Sequence, residues 1–465
     1  MQSNKKAKNY TEGVIWKNLL NLAVPIILAN TLQSAYQLID TFWLGRLGAN
    51  AVAAVSLSFP VFFLVLSVGA GVTVATTVLV SQSKGTSNQR LVDYSSSQSI
   101  FIIFLISMGL SALGYYAASP LMTLVGAGPE ILEDSISYFQ VSSLGFVFLF
   151  IFFTFQSLMR GIGNVWLPMF IVLITVFLNL ILDPLFIFGF GPIPGYGVAG
   201  AAWASVITQG ISAVFGLFIL FRGRRGIHIT LKDMKPDFTY VRRLFRIGIP
   251  SSLDQSARAA GLTVMVMLVT SFGSSVVAAY GVGARILSFI IIPALGLSIA
   301  TTTMVGQNVG AGKIKRAEET GDLSSKIAFF GLTGVGLLMF IFARQILAFF
   351  VPNEPQVIED GARFIKIMAP SFGLLGVQQS MNGVFNGAGF TKASMLISML
   401  NLWIIRFPLA YILSSHTPLG PVGIFWAFPT SNLLAATTAY IYYKTGKWKT
   451  KARQSKRILD QLQTK

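Results

Sequence analysis

The 465-residue chain has no cysteine and only two histidines, His228 and His416. Disulfide frameworks, thiolate metal sites and cysteine nucleophiles are therefore excluded. Charge is scarce as well. Only 11% of residues are charged, where an average soluble chain carries about 25%. Acids are the scarcer sign, 17 Asp and Glu against 35 Lys and Arg, for a net charge of +18. HExxH, GxSxG and clustered-acid metal motifs are missing. The stretch from Gly306 to Lys313 resembles a phosphate loop but fails, because Ile314 stands where Ser or Thr is required.

Apolar residues are abundant, at 53% of the chain with a mean hydropathy of +0.67. That composition belongs to a polytopic membrane protein. The segment Met1 to Lys17 is basic and polar, and the apolar run that follows is too long for a signal-peptide core. It is read as the first transmembrane helix. A spanning helix needs about 20 apolar residues. Twelve candidates meet this, at 19–44, 51–81, 94–122, 136–159, 165–190, 198–221, 244–272, 276–307, 325–350, 362–385, 393–414 and 422–443.

The basic residues cluster at Lys5–Lys8, Lys84–Arg90, Arg222–Arg225, Lys232–Arg246, Lys313–Arg316 and Lys444–Lys465, between or beyond the apolar runs. This is the positive-inside pattern of cytoplasmic loops, so the excess charge points to a bilayer and not to nucleic acid. With the N-terminus in the cytoplasm, alternation puts every basic cluster inside. The Glu130/Glu133/Asp134 and Glu354/Glu359/Asp360 loops then fall outside, and both termini are cytoplasmic.

The chain also repeats. A shift of 225 residues brings Pro25 onto Pro250, Gly48 onto Gly273, Gly71 onto Gly296, Ala75-Thr76-Thr77 onto Ala300-Thr301-Thr302, and Gln82 onto Gln307. A shift of 226 pairs Glu133-Asp134 with Glu359-Asp360 and Gly161-Ile162-Gly163 with Gly387-Ala388-Gly389. Register held over this length makes an internal repeat. The expected fold is all-α, with twelve transmembrane helices in two six-helix bundles. Six is even, so both bundles start on the same side and are related by a pseudo-two-fold axis along the membrane normal. The expected divisions are an N-lobe at 1–221, a cytoplasmic linker at 222–243, a C-lobe at 244–443 and a basic cytoplasmic tail at 444–465. Two such halves would enclose a cavity that opens to either face by rocking.

Three acids fall deep in a span: Asp40, Asp183 and Asp254. A charged Asp at a helix centre costs roughly 2.5–3.5 kcal/mol on insertion scales. Asp40 shares a helix face with Tyr36 and Gln33. Asp183 shares one with Asn179, four residues earlier, and precedes Pro184, which can kink the helix. If Asp40 and Asp183 approach each other they cannot easily both ionise. For each acid the alternative is a static hydrogen-bonded core cluster. Asp254 has Arg258 four residues later, an arrangement that neutralises itself, so its reading is structural. Arg285 and Arg406 are further buried candidates, suited to pair with Asp254 or to contact an anionic group. In the second half Met265 stands at the position of Asp40. The segment Asn401-Leu-Trp-Ile-Ile-Arg406-Phe-Pro408 matches Asn179–Pro184, with an Arg in place of the acid. The first bundle is therefore the expected cation or proton site.

Twelve spans in two repeats, Pro25 with Asp40-Thr-Phe-Trp-Leu-Gly, Gly161-Ile-Gly-Asn, Asn179…Asp183-Pro184 and Gly195-Tyr-Gly-Val-Ala-Gly-Ala-Ala-Trp together resemble the multidrug and toxic compound extrusion (MATE) family over nearly the whole chain. The resemblance implies cation-coupled export of amphipathic, often cationic compounds through a cavity between an N-lobe and a C-lobe. It places the coupling site at Asp40, Asn179 and Asp183, with Gln33, Tyr36, Gln37 and Tyr138 lining the cavity. Asp254, Arg258 and Arg406 are the polar positions of the C-lobe. Arg258 stands where the NorM-type branch has a glutamate, and the tenth-helix acid is missing around Leu375. This resembles the DinF-type branch and favours protons at the N-lobe. Sodium is the alternative ion, since Asp and Asn oxygens suit it. The expectation is a monomeric, cofactor-free, non-enzymatic antiporter of a prokaryotic inner membrane. Other readings are a lipid-linked oligosaccharide flippase of the same superfamily and a membrane-embedded isoprenoid enzyme. The first would want several cavity arginines and the second clustered acids for Mg²⁺.

Overall fold

The computed structural model describes residues 9–192, 194–352 and 354–463. The fold is helical throughout. The first half contains α1 (Ile15–Leu47), α2 (Ala49–Gly85), α3 (Gln89–Val125), α4 (Pro129–Gly161), α5 (Trp166–Phe188) and α6 (Gly197–Arg222). The second half contains α7 (Phe238–Thr270), α8 (Ser274–Gly310), α9 (Ile314–Ile341), α10 (Ala343–Phe350), α11 (Pro355–Met368), α12 (Phe372–Gly387), α13 (Thr391–Met399), α14 (Phe407–Ser415), α15 (Pro421–Lys444) and α16 (Lys447–Gln463). Among the described residues nine helical stretches are long and apolar enough to cross a membrane. The expected spans at 244–272 and 422–443 correspond to α7 and α15, which carry more polar residues, and that at 362–385 to α11 and α12, of 14 and 16 residues, which a 3-10 turn at Ala369–Ser371 separates. Large apolar side chains such as Leu113, Ile181 and Ile404 stand exposed on the helices, as lipid-facing positions do.

The repeat is written into the helix ends. α2 and α8 start and stop 225 residues apart, and each follows a glycine at positive φ, Gly48 at 126° and Gly273 at 94°. A side chain is disfavoured at such a backbone, so both tight turns need glycine.

The chain folds into two compact units, and their boundary differs from the expected lobes. One unit holds Leu28–Ser252; the other holds Tyr10–Ile27 together with the chain from Leu253 onward. The division falls just after Pro25 in α1 and just after Pro250 in α7. A proline inside a helix removes one hydrogen bond and clashes with the preceding turn, so the two halves of the helix are free to belong to different neighbours. The first half of α7 therefore packs in the first unit, where Tyr240, Leu244 and Ile247 join Val72, Ala75 and Phe150. The first half of α1 packs in the second, where the Tyr10 N–H donates to Gln307 Oε1 at 3.2 Å.

Each exchanged half-helix meets a glycine. A Cβ on Gly71 of α2 would lie 2.0 Å from Ser252 Oγ and 2.4 Å from the Gly248 carbonyl oxygen. A Cβ on Gly296 of α8 would lie 2.3 Å from Ile27 Cγ1. Gly71 and Gly296 are repeat mates, and so are Ser252 and Ile27. The same crossing is thus made twice.

The expected linker bounds need correction. The linker is shorter than 222–243, because α7 already begins at Phe238. Arg242, Arg243 and Arg246 lie on that helix, and Arg243 Nη2 donates to Gln82 Oε1 at 3.0 Å. What precedes α7 is strapped to α3 within the first unit. Arg90 grips Asp233 with both terminal nitrogens, at 2.6 and 2.7 Å, and Gln98 Nε2 donates to the carbonyls of Asp233 and Lys235. Burial pushes the Asp237 carboxyl up, but hydrogen bonds from the Tyr94 hydroxyl and the Thr239 N–H outweigh it and hold the group below the usual carboxylate range. The expected basic tail, 444–465, is helical over most of its described length. Its residues 447–463 form α16, which buries Trp448, Ala452 and Leu459. Pro184 lies inside α5, which runs on to Phe188.

Candidate functional site

In α5 one stripe faces inward. Thr175, Val176, Asn179 and Asp183 are buried, whereas Phe177 is 59% and Ile181 64% exposed on the other face. The spacing of four residues stacks Asn179 over Asp183, and Asn179 Nδ2 donates to Asp183 Oδ1 at 2.8 Å. The second half of α1 brings Tyr36 and Asp40, also four apart, against α6. There the Tyr36 hydroxyl donates to Ser205 Oγ at 2.8 Å and lies 3.1 Å from Thr208 Oγ1. Asp40 is within interaction range of Asp183, Asn179 and Ser205. Tyr138 of α4 feels the charge of both Asp40 and Asp183.

The cluster has too many acceptors. Asp40 Oδ1, Asn179 Oδ1 and Asp183 Oδ2 are all buried without a hydrogen-bond donor. An ionised carboxylate only accepts, and buried polar atoms are nearly always paired. No Lys or Arg among the described residues forms an ion pair with either carboxylate. Two acids that feel each other's charge, in a medium that screens poorly, favour a positive charge beside them. A proton on one carboxyl turns an acceptor into a donor aimed at its neighbour. A monovalent cation would take the same oxygens as ligands. The residues fit either ion.

The structure thus brings together Tyr36, Asp40, Tyr138, Asn179 and Asp183. It does not tie in the two glutamines. Gln33 is half-buried and Gln37 exposed, and neither side chain makes a hydrogen bond among the described residues. Sequence reading missed Ser205 and Thr208, whose hydroxyls receive Tyr36. Their spacing of three on an otherwise small and apolar helix was the available signal. It also missed Arg160, at the end of α4, whose Nη2 donates to Ser157 Oγ at 2.8 Å while its Nε is buried without a partner.

The second unit has the opposite character. Met265, at the repeat position of Asp40, is 1% exposed and sits in an apolar cluster. Asp254 accepts from Arg258 Nε at 3.1 Å and Nη2 at 3.4 Å, and Arg258 Nη2 also donates to Ser398 Oγ at 2.6 Å. Arg406 does not reach Asp254. Its Nε donates to Ser431 Oγ at 2.8 Å, its Nη2 donates to Asn432 Oδ1 at 2.7 Å, and its guanidinium carbon lies 4.7 Å from the Phe428 ring centre. Arg285 is exposed and not buried as expected. Between α13 and α14 the backbone widens into a π-helical segment, Leu400–Arg406, a form that concentrates at functional places.

Comparison with known proteins agrees with this layout. The MatE family profile matches residues 25–185 and 250–412, one block in each half. The "Probable multidrug resistance protein YpnP" of Bacillus subtilis is 29% identical over 96% of this chain and 98% of its own. The "FAD transporter" of Shewanella oneidensis is 28% identical over 92% of this chain and 94% of its own. A solved outward-facing multidrug resistance MATE family transporter superposes with a TM-score of 0.88 at 25% identity, over 98% of this chain and 100% of its own.

Proposed function

Since this chain belongs to the MatE family of membrane-embedded multidrug efflux transporters, we propose that it is a secondary antiporter that exchanges protons for amphipathic, often cationic compounds by alternating access. The observation that carries the coupling site is the set of three donor-less oxygens on Asp40, Asn179 and Asp183. In this reading Asp40 and Asp183 share the coupling charge. Asn179 holds Asp183 in place. Tyr36, anchored on Ser205, fixes the second half of α1 beside them. A cationic compound and the proton compete for the same negative charge, which is the basis of exchange. Sodium is the alternative coupling ion. A DinF-like placement rests on Arg258 and on the missing acid around Leu375. We further propose that both termini face the cytoplasm of a bacterial inner membrane, which the basic clusters support, and that the transporter acts as a monomer.

The test is transport in everted vesicles containing matched amounts of protein. An imposed pH gradient is expected to drive ethidium movement and a sodium gradient is not. Asp40→Asn and Asp183→Asn each keep the shape of the side chain but cannot titrate. Both are expected to reduce pH-driven export to background. Wild-type export by Asp40→Asn would remove Asp40 from the mechanism, and export driven by sodium alone would replace the ion.

A further inference from the structure

The two units differ in the deep acids they carry within the membrane spans. The first holds two membrane-embedded acids with no paired base. In the second, Asp254 is matched by Arg258, and Arg406 has no acid paired with it among the described residues. The repeat sharpens the contrast, because Arg406 stands two residues before Pro408 on the helix whose counterpart carries Asp183 immediately before Pro184. A guanidinium stays ionised at any working pH, so this positive charge is permanent.

What surrounds Arg406 is neutral and fixed. Ser431 and Asn432, neighbours on α15, accept from it. Ser431 is itself held by donating to the Phe428 carbonyl at 3.0 Å. Asn432 is held by donating to Ser371 Oγ at 3.1 Å, and Ser371 in turn donates to the Met368 carbonyl at 2.8 Å. These bonds occupy Nε and one hydrogen of Nη2. A guanidinium has five N–H donors, and the rest, including both on Nη1, have no partner among the described residues. The Tyr280 hydroxyl, whose electrostatic surroundings include Arg406, also has none there. Arg406 keeps accessible surface, being half-buried, and its guanidinium carbon lies 4.7 Å from the ring centre of Phe428, which is itself buried against Tyr280 and Phe364. A permanent charge with free, oriented donors and no counter-ion is a seat for an anion.

We propose that Arg406, aimed by Ser431 and Asn432 and assisted by Tyr280, binds a carboxylate or phosphate group of the cargo. This deepens the transporter reading and rests on it: the exporter would take anionic or zwitterionic compounds as well as cations, with the anionic group held in the second unit.

The probes are riboflavin and flavin mononucleotide, which share one ring system and differ by a phosphate. Equilibrium binding is measured on the full-length protein in phosphatidylcholine nanodiscs. Wild type is expected to bind flavin mononucleotide about tenfold more tightly than riboflavin, as one charge-assisted contact gives. Inorganic phosphate should compete against the mononucleotide and not against riboflavin. Arg406→Gln should collapse the ratio to about one. Arg406→Lys, which keeps the charge but loses the fork, should keep part of it. Equal binding of the two flavins by wild type overturns the proposal, as does a preference that survives Arg406→Gln. Should Arg406→Gln fail to fold, the wild-type ratio, the phosphate competition and Arg406→Lys still decide. Loss of the preference in phosphatidylglycerol nanodiscs would assign the seat to a lipid headgroup and overturn the cargo assignment. Failure of wild-type ethidium export sinks the antiporter reading without touching the flavin ratio, so the two can fail separately.

Discussion

Asp40 and Asp183 are neighbours that only neutral groups support. Asn179 gives one N–H to Asp183, and Tyr36 uses its hydroxyl hydrogen on Ser205 and not on a carboxylate. A fully satisfied cluster would be inert, whereas this one retains affinity for a positive charge. Tyr36 then has a positioning role, and its removal should be milder than removal of an acid. Tyr36→Phe breaks one neutral hydrogen bond, worth about 1 kcal/mol. Export is expected to fall roughly fivefold at matched protein amounts, with the pH dependence kept. Vesicle transport across a pH series checks this. A collapse as deep as that of Asp40→Asn would make Tyr36 part of the coupling group itself.

At the scale of the helix, the exchange of half-helices at Pro25 and Pro250 depends on close approach. Gly71 is the tighter contact, because its Cβ would meet the Gly248 backbone oxygen at 2.4 Å, whereas that of Gly296 meets a side-chain carbon of Ile27. Side chains move more cheaply than backbone. Gly71→Ala should therefore destabilise by about 1–3 kcal/mol through overpacking, and Gly296→Ala by less. Gly109 on α3 has open space around it, so Gly109→Ala should be neutral or slightly stabilising, as expected from helix propensity. Thermal unfolding of the three variants in one detergent gives the ranking. An unchanged midpoint for Gly71→Ala would mean that the half-helix of α7 shifts without cost.

At the scale of the molecule, the chain end closes the second unit. Trp448 is fully buried, stacks on Tyr443 with ring centres 5.7 Å apart and donates to the Tyr443 carbonyl at 3.2 Å. Lys449 pairs with Glu318 of α9 at 2.6 Å. The N-terminal strand of contacts reaches the same α8–α9 turn, with Lys313 Nζ donating to the Thr11 carbonyl at 3.1 Å and Arg316 Nη2 to that of Gly13 at 2.6 Å. Removing a buried Trp leaves a cavity and typically costs about 3–5 kcal/mol. Trp448→Ala should accordingly lower the unfolding temperature, while substitution of the exposed Arg453 by Ala should not. If the two variants unfold alike, α16 contributes nothing to the second unit.

The sequence by itself determined the class, the repeat and the acids. Hydrophobic runs of membrane length, the placement of basic clusters and a constant shift are one-dimensional properties, so twelve spans in two halves and the pairing of Asn179 with Asp183 are legible without coordinates. A spacing of four on one helix is local geometry. The meeting of different helices is not. That Asp40 reaches α5, that Tyr36 is received by Ser205 and Thr208, and that Gln33 and Gln37 stay out of the cluster depend on how α1, α5 and α6 rotate against one another. The division of α1 and α7 between units follows from proline bends plus the contacts of Gly71 and Gly296, of which only the prolines can be read in advance. The tail shows the same limit. Its basic residues fit a solvated end in sequence, and only packing revealed that Trp448, Ala452 and Leu459 turn a buried face. Arg406 was visible as a charge, but that it meets Ser431 and Asn432 and, among the described residues, pairs with no acid is a three-dimensional fact, decided by which helices come to its side.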